Sequence, residues 1–61
     1  MKINKVIDEM IEELQACKPE VIKFKKKGNK AAGTRVRKIM QNLKNRAQDV
    51  RVEVLRIQKG E

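Results

Sequence analysis

Apolar residues recur along this chain in a period that only a helix explains. In the first half they fall at Ile3, Ile7, Met10, Leu14, Cys17, Val21 and Phe24, in steps of 4, 3, 4, 3, 4, 3. In the second half they fall at Val36, Met40, Leu43, Ala47, Val50, Val54 and Ile57, in the same six steps. Both runs are heptads of the kind that puts one stripe of a helix against a partner helix. Val6, Ile11 and Ile22 widen the first stripe, and Ala32, Ile39 and Leu55 flank the second. No segment alternates as a half-buried strand does. The pattern predicts two helices and an all-α fold.

Gly28-Asn29 separates the two runs. Glycine is favoured just past a helix end, where the backbone turns left-handed. Asparagine is among the best N-caps for the helix that follows. Lys25, Lys26 and Lys27 suit the negative end of the first helix dipole. The predicted helices are therefore about Ile3–Lys27 and about Lys30–Gln58. Pro19 is the local conflict, because proline removes a helical hydrogen bond and crowds the carbonyl four residues back. It falls on the outer face, between Cys17 and Val21. It either bends one long helix on its solvent side or breaks it near Cys17–Lys18.

A two-residue turn makes the helices antiparallel neighbours. Facing residues then have numbers that sum to about 57. Leu14 meets Leu43, Met10 meets Ala47, Ile7 meets Val50, Cys17 meets Met40 and Val21 meets Val36. Phe24 meets Gly33, the largest seam residue against the smallest. Gly33 costs about 1 kcal/mol relative to alanine inside a helix, and this packing gives a reason to keep it. Two helices cover only one side of each other, so Ile11, Ile22, Ile39, Val52 and Leu55 stay partly open. The expectation is a single domain, residues 1–61, that dimerises into a four-helix arrangement. A chain this short rarely buries enough apolar surface by itself.

Charge changes the picture. The 61 residues carry 16 Lys or Arg against 8 Asp or Glu, a net charge of +8. Ten of the cations lie between Val21 and Arg46, with no acidic residue among them. In the hairpin they gather around the turn. Asp8, Glu9, Glu12 and Glu13 lie at the far end, beside Arg46, Arg51 and Arg56, with which they are expected to pair. So many like charges without counter-charges repel one another, and a merely soluble surface would mix signs. The distribution points to a polyanion, most simply a phosphate backbone. The expected contacts are Lys25, Lys26, Lys27, Lys30, Thr34, Arg35, Arg37, Lys38 and Lys44, on a turn shaped by Gly28 and Asn29. The start of the second helix adds its dipole and free amides.

Composition excludes other chemistry. The chain has no Ser, His, Tyr or Trp, and its only cysteine is Cys17. Ser-His and Cys-His catalysis is impossible, and so is a zinc site built on histidine or paired cysteines. No enzyme activity, cofactor, metal or small-molecule substrate is expected. Cys17 reads as a buried small hydrophobe, or less simply as a link to a second copy. The carboxylates at positions 8, 9, 12 and 13 read as a solvated, ion-paired face. No apolar run exceeds two residues, so no membrane segment is expected, and the expected compartment is the cytoplasm and its nucleoid. Phe24 is the only aromatic and sits on the seam, so base stacking on single strands has little to work with. Arg35, Lys38, Gln41 and Asn42 have groove-reading side chains, but nothing marks them as more than backbone contacts.

The segment Gly28–Arg37, GNKAAGTRVR, resembles the bacterial linker-histone-like family, the chlamydial histone-like proteins and their shorter relatives. The matching residues are Gly28, Asn29, Lys30, Ala31, Ala32, Arg35 and Arg37. The resemblance implies a nucleoid-associated protein that binds duplex DNA with little sequence preference and organises or compacts it. The chlamydial members carry a long Lys/Ala/Pro-rich tail that this sequence does not show, so the expected form is tail-less. Two alternatives stand beside this reading. One is an RNA-binding protein using the same surface, and the other is a coiled-coil module that binds an acidic protein partner.

Overall fold

A computed structural model describes residues 2–60. The chain forms two helices, α1 (Ile3–Lys27) and α2 (Lys30–Gln58), and the described residues contain no strand. They lie antiparallel in a hairpin about 51 Å long. Both helix ranges agree with the heptad reading. α1 runs unbroken through Pro19, so the break near Cys17–Lys18 does not occur. Proline on the outer side leaves one carbonyl without its helical partner, and solvent can satisfy that group there.

The turn works as its residues dictate. Gly28 adopts φ 61°, and its N–H donates to the Phe24 carbonyl at 3.0 Å. No other described residue but Gly60 has a positive φ. The Asn29 side-chain oxygen then accepts from the Ala32 N–H at 3.1 Å and caps α2. The left-handed residue ends one helix, and the next residue begins the other.

The register is the expected one. The Phe24 ring lies against Gly33, so close that a Cβ on Gly33 would sit 2.8 Å from Phe24 Cδ1. Glu20 pairs with Arg35, and Glu9 and Glu13 both pair with Arg46, so facing numbers again sum to between 55 and 59.

The roll of the helices about their axes differs from the expectation. Cys17 (3% exposed), Ala32 (fully buried) and Leu43 (8%) make the buried centre. The seam residues Ile7, Leu14, Phe24, Met40, Val54 and Ile57 remain exposed, and Phe24 is 49% exposed rather than enclosed. Ala32, expected beside the seam, is at its heart. The physical reason lies on one edge of the interface. Half-buried Glu9, Glu13 and Glu20 turn inward to reach Arg46 and Arg35 across the gap, and this rolls the apolar stripes toward the other edge. The hairpin thus has an ion-paired flank and an open apolar flank.

Candidate nucleic-acid interface

Lys25, Lys26 and Lys27 close α1, and Lys30 opens α2. The Gly28-Asn29 turn therefore presents four lysines within six residues at one tip of the rod. Arg35, Arg37 and Lys38 follow on the next two turns of α2, and Lys44 two turns later. All eight side chains are exposed. The first amides of α2 have no partner within the helix, and their dipole end lies at the same tip.

These cations are not equivalent. Arg35 Nε donates to Glu20 Oε1 at 2.8 Å, while Lys23 Nζ lies 3.9 Å from the other oxygen of the same carboxylate. Arg35 is thus held on the ion-paired flank with its charge already matched. Among the described residues no carboxylate pairs with Lys25, Lys26, Lys27, Lys30, Arg37, Lys38 or Lys44. Thr34, expected as a donor, gives its hydroxyl proton to the Lys30 carbonyl at 3.2 Å. Glu20 lies just before the acid-free stretch that starts at Val21, so the run of cations alone does not reveal it. The register would have found it, since a sum near 57 sets Glu20 within one turn of Arg35.

The far end is neutralised, though not by all the expected pairs. Arg46 bridges Glu9 Oε1 at 2.7 Å and Glu13 Oε1 at 2.6 Å. The hydrogen bond to Glu9 leads the effects that hold its guanidinium above the ordinary arginine value. Arg56 pairs instead with Glu53 on its own helix at 2.6 Å, and Arg51 donates to Gln48 at 3.3 Å. A partner one turn away on the same helix is nearer than any carboxylate of α1, and Arg51 lies on the other flank. Arg56, chiefly through its hydrogen bond, pulls the Glu53 carboxyl below the usual glutamate range.

The open flank carries a groove beside the tip. One part, about 420 Å³, is lined by Val21, Phe24, Gly33 and Val36, with Lys30, Thr34 and Arg37 at its border. The next part, about 560 Å³, is lined by Leu14, Cys17, Val21, Ile22 and Met40, with Lys18 at its border. Val21 lines both. The described residues hold no cluster of three or more metal-ligating side chains, and no helix is long and apolar enough to cross a membrane.

A family model described as histone H1-like protein Hc1 matches residues 4–60. The chain belongs to the histone H1-like Hc1 family. The match spans both helices and the turn, so the Hc1 relationship extends well beyond the GNKAAGTRVR segment. No curated protein and no solved structure matches this Hc1-family chain.

Proposed function

We propose that this protein binds duplex DNA with little sequence preference and organises it in the nucleoid, without catalysis. The carrying observation is the set of unpaired cations at one tip of a rod whose other end is neutralised by its own ion pairs. Lys25, Lys26, Lys27, Lys30, Arg37, Lys38 and Lys44 make the phosphate surface, and Arg35 contributes once it leaves Glu20. The histone H1-like family supports DNA as the polyanion. A second copy covers the open apolar flank, so the working unit is a dimer with more than one cationic tip.

The test is a salt titration of binding to a random-sequence duplex. Engagement of six to ten phosphates makes affinity fall by roughly 10³–10⁵ between 50 and 200 mM salt. A Lys30→Glu/Arg35→Glu/Arg37→Glu variant keeps its helicity and loses most of the binding. A flat salt response, or equal binding by the two proteins, refutes the reading. Stronger competition by duplex RNA than by duplex DNA would reassign the same surface to RNA.

A further inference from the structure

The two helices differ on the sides they turn away from each other. Ala32 and Leu43, both buried, mark the side of α2 that meets α1. At about 100° per residue, Gln41, Asn45 and Gln48 stand within about 30° of the opposite direction. Beside these amides runs a row of cations, Lys30, Arg37, Lys44 and Arg51, at intervals of seven residues. Seven residues are close to two turns, so the row drifts only about 20° per step and covers about 31 Å of the helix. All seven side chains are exposed. None of the four cations pairs with a carboxylate among the described residues. The stretch from Val21 to Gln48 holds no acid, and Asp49 stands about 140° round the helix from Lys44. The outward side of α1 has mixed signs instead, with Asp8 and Glu12 exposed on it.

The amides add a second observation. Gln48 Oε1 accepts from Arg51 Nη1 at 3.3 Å, and Asn45 Oδ1 accepts from Gln41 Nε2 at 3.5 Å. The carbonyl ends of Asn45 and Gln48 are thus turned to neighbours on their own helix, and their NH2 groups are the free ends. A carboxamide that reads adenine both donates and accepts. One that offers only N–H suits a ligand that only accepts, and a phosphate oxygen is such a ligand.

We propose that the outward side of α2, from Lys30 to Arg51, lies lengthwise along the backbone of the duplex, with Asn45 and Gln48 donating to phosphate oxygens beside the cations. This rests on the DNA-binding reading and extends it. The tip is one end of a surface that runs along most of α2, and Arg51 and the amides belong to that surface. A line of phosphates carries one negative charge per ~3.4 Å of each strand, so it can meet a row of cations over the whole of this length. Contacts to the backbone alone carry no sequence information, in keeping with binding of little sequence preference.

Salt titrations of binding to a random-sequence duplex, with variants of the full chain, test the proposal. Lys44→Gln/Arg51→Gln makes the plot of log affinity against log salt shallower by about 2, and weakens binding roughly 10- to 60-fold at 0.1 M salt. Lys2→Gln/Lys5→Gln removes the same charge from the start of α1 and leaves the slope as in wild type. Asn45→Ala/Gln48→Ala weakens binding roughly 5- to 100-fold without changing the slope, and does so equally on A·T-rich and G·C-rich duplexes. The replacements are good helix formers at exposed positions, so circular dichroism should show helicity kept. Poly-glutamate at the same concentration of charge displaces the duplex poorly. Equal slopes for the two charge variants, or wild-type affinity of the amide variant, would confine binding to the tip and overturn the proposal while the DNA reading stands. A loss on A·T-rich duplexes alone would make the amides base readers and overturn it too, as would poly-glutamate competing as well as DNA. A wild type that binds no duplex removes the DNA reading itself.

Discussion

Replacing Gly33 by alanine sets two effects of opposite sign against each other. Alanine in a helix interior is more stable than glycine by about 1 kcal/mol. Against this, the new Cβ would sit 2.8 Å from Phe24 Cδ1 and 2.9 Å from Cε1. Carbon atoms rest at about 3.5–4.0 Å, so the ring must retreat by the better part of an ångström or more. Phe24 is 49% exposed and has room to swing outward. What it then loses is the half of its surface that is still covered. Full burial of a phenylalanine is worth about 1.5–3 kcal/mol, so the loss is about 1 kcal/mol. Gly33→Ala alone should therefore leave stability within about 0.5 kcal/mol of wild type. In a Phe24→Ala background nothing opposes the helix-propensity gain, and the same substitution should stabilise by about 1 kcal/mol. The coupling between the two positions is thus about 1 kcal/mol. Urea denaturation of the four proteins, followed by far-ultraviolet circular dichroism at one chain concentration, measures it. A gain of about 1 kcal/mol in both backgrounds would mean that the ring does not rest on Gly33. A loss of several kcal/mol in the wild-type background would mean that the ring is trapped rather than free to swing.

Other expectations concern the cap, the core and the pH response. Asn29→Ala removes the acceptor for the Ala32 N–H and should cost about 1 kcal/mol, while Asn29→Gly should cost only a few tenths, as read by urea midpoints. Leu43→Ala empties part of the buried centre and should cost about 2–5 kcal/mol. Leu14→Ala, on the open flank and 46% exposed, should cost clearly less, and equal losses would contradict the observed roll of the helices. Arg56 lowers the folded-state pKa of Glu53, so this pair supports the fold above the unfolded glutamate value and loses that support as pH falls through the lowered one. A carbon-detected NMR titration should find Glu53 titrating below the usual glutamate range, and Arg56→Gln should abolish the shift.

The heptads made both helices legible to the residue, because Gly28 and Asn29 punctuate them with side-chain and backbone chemistry that acts locally. Phe24 and Gly33 revealed the register, since a large and a small residue meet at only one alignment. The roll was not legible. Both apolar stripes are broad, with Ile11 and Ile22 extending one and Leu55 the other, so apolar spacing alone tolerates several rotations. The choice is made by Glu9, Glu13 and Glu20 reaching for Arg46 and Arg35, a tertiary pairing that no periodicity records. The same tertiary pairing alters the candidate site. The cationic stretch is visible as a run, but Glu20 withdraws Arg35 from it.

A hairpin built on one turn also has a built-in order of assembly. The contact between Phe24 and Gly33 closes a loop of nine residues, that between Glu20 and Arg35 one of fifteen, and that between Glu9 and Arg46 one of thirty-seven. Each contact brings the next pair together, so every later step closes only a short additional stretch of chain. Even without that help, each doubling of a free loop costs only about 0.6 kcal/mol more. The chain can zip from Gly28 outward with no pairing that must wait for a distant segment, the local-contact topology of fast-folding helical proteins. Unzipping runs the other way. The neutral end opens first, and the cationic tip is the last part of the molecule to lose its shape.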